Sequence, residues 1–530
     1  MSYFAKAPMA REQMVLFPTR LADVIPEDHP VRILAELLGL MDWSEWEQRY
    51  HGSRGQPPIH PQVLAGIVLY GIMQRVRSSR VLEYLAGHNM DFLWLAEGHR
   101  PDYSTICNFR TKFGPELRGL FRKVVRIAQA AGLIQLIEVG FDGTRVRANN
   151  SRHETLTAEK IEKHLEALET EFSQRLEDMQ QADQQEQPLW PSEGESLPLP
   201  PELAKLDQRR ARLKSAQQQI EQMEQQRRSE GKDPQRKPAQ IPTTDPDSRV
   251  NPNKEGGYAP NYTPLAAADG HKGFLVDVDV IAGTDEQSQT VAVVERIEET
   301  TGEKPESLMA DGLHATGLNI VELQQRDVEF LSPLKLPEAA PGHAAWREDP
   351  RQPVPEENWP QLPINPQSKR LDKSCFLYDA EQDVYYCPMG KPLEFRENKS
   401  DHRQGEKIVM RVFQCASCAG CPLIEKCVSS KNAGGRTVSR DPYAADRQAH
   451  AQKMTTESAK KRYSRRMWIS ETPFAVIKQA FGVRQFLLRG TEKVLTEWLW
   501  IGTAFNLRKL ISEIQRLRAD FELHLTAEAV

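Results

Sequence analysis

Three acidic residues stand far apart in this chain, each in a setting suited to hard-metal chemistry. Asp142 ends the apolar run Ile137-Glu138-Val139-Gly140-Phe141-Asp142, and Asp311 ends Ser307-Leu308-Met309-Ala310-Asp311. Glu471 lies in a basic, aromatic stretch, Tyr463-Ser464-Arg465-Arg466-Met467-Trp468-Ile469-Ser470-Glu471, with Lys478 further on. Carboxylates are hard oxygen donors suited to a pair of Mg²⁺ ions, and the cations suit phosphate. The chemistry implied is phosphodiester hydrolysis.

A single Asp at a strand end is commonly a turn or helix cap, so each acid alone says little. Asp269, Asp277, Asp279 and Asp285 are rivals; Asp277 and Asp279 alternate with valines and read as solvated. Glu457, Glu492 and Glu497 compete with Glu471, and Glu497 reads as an ion-pair partner for Arg489. Glu471 is preferred because Lys478 falls about two helical turns later, on the same face. Tyr463 and Arg466 lie one to two turns before it, while Trp468 and Phe474 are expected to anchor that helix on a sheet.

Five of the seven cysteines fall between Cys387 and Cys427. The run Cys415, Cys418, Cys421, Cys427, with Cys387 before it, supplies more thiols than one tetrahedral Zn²⁺ can use. Cys107 and Cys375 read as packing residues. Such local clustering is unlike the disulfide framework of a secreted domain. The start of the chain carries charge where a signal peptide would be apolar, and no stretch approaches the ~20 apolar residues of a membrane span. A cytoplasmic, nucleoid-associated protein with no membrane partner is expected. Net charge is −5 with a pI near 6.3, yet residues 460–466 hold five cations in seven positions. A local basic face matters more than total charge for gripping phosphates.

The elements that must position these residues follow from periodicity. A length of 530 residues allows two or three domains. Residues 1–130 read as a helical DNA-binding bundle, in which the helix opening at Pro101-Asp102 resembles the second helix of a helix-turn-helix and exposes Ser104, Asn108 and Arg110. Residues 131–150 and 243–335 alternate strands and helices, as in an RNase-H-like mixed sheet. An insertion at 151–242 carries Ile161, Leu165, Leu168, Phe172, Leu176 and Met179 on one helical stripe. After a proline-rich break at Pro188–Pro201, Leu203, Leu206, Leu213 and Ile220 form a second stripe. The two predict an antiparallel helical hairpin with a disordered tail at 231–242. Residues 336–455 read as a loop-rich insertion holding the cysteines, and 456–530 as the catalytic helix with closing helices. The fold class is therefore α+β or α/β, an RNase-H-like sheet with large insertions and an N-terminal helical bundle.

These motifs resemble, over nearly the whole length, a bacterial insertion-sequence transposase of the DDE class with an InsH-like N-terminal domain. The resemblance rests on Pro101-Asp102-Tyr103-Ser104-Thr105 with Phe109-Arg110, and on Asp142-Gly143-Thr144 with Ala148-Asn149. Thr244–Arg249 with Gly256-Gly257-Tyr258, Ala310-Asp311 with Asn319, and Tyr463, Arg466, Glu471 and Lys478 complete it, followed by Arg489-Gly490 and Asn506-Leu507. The chain departs from the family pattern at Tyr262-Thr263-Pro264-Leu265, at His314 where a Tyr is usual, and by one extra residue between Arg466 and Glu471. The resemblance implies Asp142, Asp311 and Glu471 as catalytic ligands of two Mg²⁺ (Mn²⁺ an alternative), with Asp142 bridging both ions. Tyr463, Arg466, Lys478, Ser104, Asn108 and Arg110 become DNA contacts. Cys387, Cys418, Cys421 and Cys427 become ligands of a structural Zn²⁺, leaving Cys415 spare. It further implies binding to terminal inverted repeats and target DNA, strand transfer, and a homodimer in the paired-end complex. The alternatives are a catalytically inactive, domesticated DNA-binding protein and an RNase-H-type nuclease without strand transfer.

Overall fold

A computed structural model describes residues 23–50, 57–150, 154–185, 201–229, 238–253, 256–335, 338–403, 406–416, 418–429 and 434–528. Seven helices come first: Pro30–Gly39 (α1), Ser44–Glu47 (α2), Pro61–Met73 (α3), Ser79–His88 (α4), Met90–Leu95 (α5), Tyr103–Lys112 (α6) and Gly114–Ala130 (α7). Pro30 and Pro61 open their helices at positions that need no N–H, and the rings of His29 and His60 cap them. In α3 every residue from Val63 to Ile72 is buried. A helix apolar on all sides must lie inside, and α1, α4, α5, α6 and the C-terminal helix Thr491–Glu528 surround it.

The central sheet grows from Glu138–Gly143 (β1), Val146–Arg147 (β2), Arg249–Pro252, Tyr258–Asp269, Leu275–Ile281, Ser307–Met309 and Glu329–Leu331. Between its strands lie Thr155–Leu156 (β3), the hairpin helices Ala158–Gln185 (α8) and Pro201–Ser229 (α9), and Ile241–Pro242 (β4). The later sheet strands are therefore β5 to β9, with helices Thr290–Thr301 (α10) after β7 and Gly317–Gln325 (α11) after β8. β6 pairs antiparallel with β1 and β7, while β1, β8 and β9 run parallel. This mixed sheet is consistent with an RNase-H-like core. All six β1 residues are buried, as expected for a strand covered on both faces.

The bundle and the sheet share one hydrophobic core, running from Ile25 to Ile511. A separate core lies in the later insertion. Within the stretch read as a loop-rich insertion, 336–455, lies a sheet that the sequence reading did not foresee. Leu377–Asp379 (β10), Val384–Tyr386 (β11), Pro392–Arg403 (β12), Glu406–Gln414 (β13) and Thr437–Arg440 (β14) form a five-stranded antiparallel sheet, with the short helix Ile424–Cys427 (α12) beside it. Charged residues on β12 hide its alternation in the sequence.

Hairpin helices α8 and α9 pack antiparallel: Arg175 pairs with Glu202 at 2.6 Å and Arg210 with Glu169 at 3.3 Å. Exposed pairs of this kind add little. The hairpin is held by a small core of Ile161, Leu165, Leu213, Ala216 and Ile220, which reaches Ala239 and Ile241. The expected tail is thus partly corrected, because Ile241–Pro242 pairs with β3. Residues 230–237 and the proline-rich break at 186–200 lie outside the described residues. The chain closes with Ala444–Thr455 (α13), Glu457–Tyr463 (α14), Arg466–Gln479 (α15) and the long helix Thr491–Glu528 (α16). The Thr244–Arg249 motif caps α16: Asp245 accepts from Gly490 N–H at 3.0 Å and Asp247 from Thr491 N–H at 2.9 Å. Among the described residues no helix is long and apolar enough to cross a membrane.

Candidate active site

Side chains alternate along a strand, so Glu138, Gly140 and Asp142 share one face of β1. That face meets α14 and α15. Glu138 pairs with Arg462 at 3.1 Å and with Arg465 at 2.5 Å. Gly140 lies against Ile469 and Ser470, where a Cβ would fall 2.8 Å from both side chains. Asp142, 8% exposed, pairs with Arg466 at 3.1 Å. One strand face thus fixes how closely α15 approaches.

β8 runs parallel to β1, with Gly140 level with Met309. Asp142 is next to last in β1, and Asp311 follows β8 by two residues, so both lie where the parallel pair ends. Asp311 opens a short turn of helix, Gly312–His314, and accepts from Leu313 N–H at 2.9 Å. Tyr463 stands near both acids. Burial raises its pKa, the hydrogen bond and charge of Arg466 oppose the rise, and Asp311 and Asp142 add to it. His314 is buried edge-on to Phe141 and bonded to Thr290 at 2.8 Å. Burial holds His314 below its ordinary pKa, against the pull of Asp311 and Glu286.

Lys478 reaches Thr144 Oγ1 at 2.5 Å, just beyond Asp142 on the chain. Glu471 is exposed on α15, between Arg466 and Lys478. The acids do not close into one cage: among the described residues, no group of three or more His, Cys, Asp or Glu side chains is arranged to hold a metal ion. The donor chemistry of Asp142 and Asp311 suits a hard divalent cation. Arg466 currently supplies the positive charge beside Asp142.

Two family models match the chain. A transposase DDE domain matches residues 386–511, and a transposase domain (DUF772) matches residues 19–112. Together the two matches support an insertion-sequence DDE transposase. No curated protein gave a significant match. The first match contains Glu471 and the clustered cysteines, while Asp142 and Asp311 lie before it. A DDE transposase domain implies an enzyme of DNA transposition, and the family typically uses a divalent metal.

The N-terminal match contains α6. Asp102 caps α6 by accepting from the N–H groups of Ser104 and Thr105, both at 2.8 Å. Ser104 and Asn108 are exposed. Arg110 corrects its expected exposure: it is buried and donates to Arg77 O at 2.6 Å, because its helical position faces the core with Ile106 and Phe109. Cys107, expected to pack, is exposed. Trp468 is 54% exposed and anchors nothing, whereas Phe474 stacks on Trp498 at 6.2 Å.

The rival acids are mostly structural. Asp269 is fully buried and accepts from Leu136 and His271 N–H, both at 2.9 Å. Asp277 is buried rather than solvated, 2.9 Å from Arg296, which also reaches Asp279 at 3.3 Å. Glu497 pairs with Arg77 at 3.2 Å, not with Arg489, and accepts from Leu487 and Leu488 N–H. Glu286 is the acid that the sequence concealed. It pairs with Arg145 at 2.8 Å and lies where a Cβ on Gly143 would collide with its carboxylate. The adjacent Asp285 and the small residue at 143 were the available signals.

Cys387, Cys415, Cys418, Cys421 and Cys427 line one cavity of about 20 Å³, room for about one water-sized occupant. Cys415 lies in the same cavity as Cys387. Its thiol hydrogen-bonds Cys387, which holds the Cys387 pKa down to about 6, with help from the Lys391 and Met389 N–H groups. Burial pushes Cys427 up to about 12. Thiol chemistry suits zinc, but the side chains as arranged do not complete a tetrahedral set.

Proposed function

We propose that this chain binds the inverted-repeat ends of its own element, cleaves DNA there, and joins the freed end to target DNA. The observation that carries this reading is the Asp142–Arg466 ion pair at the end of the parallel β1–β8 pair, with Tyr463 beside it and close to Asp311. Asp142 and Asp311, joined by Glu471 from α15, would hold two Mg²⁺, or Mn²⁺. Bound divalent ions supply Lewis-acid activation of water and charge at the leaving oxygen. Arg466 and Lys478 would grip backbone phosphates, Tyr463 would orient one, and Ser104 and Asn108 of α6 would help find the end. Cutting two ends together calls for a homodimer. A structural zinc held by Cys387, Cys418, Cys421 and Cys427 would brace the second core, with Cys415 an equal claimant to a ligand position.

The test is Mg²⁺-dependent nicking of a duplex copied from the DNA flanking the coding region. Nicking in Mg²⁺ and none in EDTA is the expected result. A second reading, an inactive DNA-binding protein, is favoured by one observation: Asp142 is already neutralised by Arg466. Tight end binding without cleavage in Mg²⁺ or Mn²⁺ would select that reading.

A further inference from the structure

Trp468 and Arg466 lie on one helix but, two residues apart at about 100° each, point to opposite sides of it. On the Trp468 side, a cleft of about 300 Å³ opens between α15, α16 and the β6–β7 turn. Its floor is apolar, with Phe274 fully buried and Phe505 nearly so. Its rim carries Lys272, Arg508 and Lys509. Glu513 is the acid present, and it is engaged by Lys272 at 3.4 Å and Arg516 at 3.0 Å. Lys509 makes no hydrogen bond or ion pair among the described residues. Its ammonium sits 5.8 Å from the Phe274 ring and 5.7 Å from the Phe505 ring. Arg508 rests on the Phe481 ring at 5.6 Å.

A large aromatic side chain left in water beside an apolar hollow with cations on its rim is complementary to one ligand chemistry. That chemistry is a flat, stackable ring joined to an anion. We propose that this cleft holds a single unpaired nucleotide of a DNA strand, its base on Trp468 and its phosphate on Lys509 and Arg508. A base inside a duplex has both faces covered by its neighbours, so a concave aromatic site selects unpaired nucleotides. The inference rests on the reading of the chain as a DNA-acting protein and adds a second contact region, on the side of α15 turned away from Asp142 and Arg466.

The experiment measures binding of a fluorescein-labelled short oligothymidylate and of an end duplex to the full chain, by anisotropy. Trp468→Ala should weaken oligothymidylate binding about fivefold or more, the lower range for loss of one base stack. Lys509→Ala should weaken it and flatten its salt dependence. Duplex binding should change little in either variant, and circular dichroism should match the parent, since Trp468 is exposed and Lys509 only half-buried. Unchanged oligothymidylate binding in both variants, with duplex binding intact, would overturn the inference and leave the transposase reading standing. Loss of both kinds of binding in the parent chain would instead remove the reading beneath it. Free thymidine monophosphate competing as well as the oligonucleotide would overturn the strand assignment in favour of a soluble nucleotide.

Discussion

The acid site and the cysteine cavity invert the relation between closeness in sequence and closeness in space. Asp142, Asp311 and Arg466 are separated by more than a hundred residues each, yet strand register and one crossing helix fix where they meet. The five cysteines mostly share one short stretch, yet their arrangement depends on turns that spacing does not specify. Cys415, which a spacing rule discards, is the thiol that touches Cys387. Regular elements therefore make distant ligands easier to place than loops make near ones.

The largest effect that would sharpen this contrast comes from Arg466→Ala. It removes the ion-pair partner of the buried Asp142 carboxylate, which keeps the Gly143 N–H, a change worth about 3 kcal/mol. Urea unfolding without metal should show the loss, and added Mg²⁺ should recover part of it by binding the native state. No stability change would mean that Arg466 does not hold Asp142. Next is Gly140→Ala. Its methyl would press on Ile469 and Ser470, and overpacking of this kind costs roughly 1–3 kcal/mol. Lower stability together with slower nicking is expected; a neutral result would mean that α15 does not depend on that close approach.

In the cavity, Cys415→Ser and Cys387→Ser should cost similar amounts, about 1–2 kcal/mol, because each hydroxyl would be buried with poorer partners. A mild Cys415→Ser beside a severe Cys387→Ser would restore the spare-thiol reading. Zinc analysis of the purified chain belongs beside it, with about one ion expected if four thiols close on metal. The smallest effect concerns pH. His314 has a folded pKa below its unfolded value of about 6.5. Its neutral form is the one the fold accommodates, so its contribution is complete above that pH and is lost as pH falls through the folded value. The denaturation midpoint should drop on acidification less steeply in His314→Gln than in the parent. Identical slopes would remove His314 as a source of acid sensitivity.

Much of the frame was legible because it is written in local patterns. The apolar runs ending in Asp142 and Asp311 became neighbouring strands, the Leu265–Val280 region became the β6–β7 hairpin, and the two stripes became α8 and α9. What escaped the sequence depended on tertiary contact. Arg110 turns inward because α4, α3 and α16 pack on α6, Asp277 finds Arg296 on a helix laid over its strand, and Glu497 finds Arg77 across almost the whole chain. Trp468 was expected inside since tryptophan usually packs. Its place opposite the buried side of α15 put it in solvent.

The central claim is that Asp142, Asp311 and Glu471 serve the chemistry while Glu497 serves the fold. One assay tests it: Mg²⁺-dependent nicking of the end duplex by Asp142→Asn, Asp311→Asn, Glu471→Gln and Glu497→Gln, normalised to folded protein, with end binding measured alongside. The first three should lose at least about 10²-fold in rate, the scale on which removing one preorganised charge-stabilising group acts, and keep end binding. Glu497→Gln should lose stability yet nick at nearly the parent rate. Near-normal nicking by Asp142→Asn, or a panel in which Glu497→Gln alone is dead, would contradict the account.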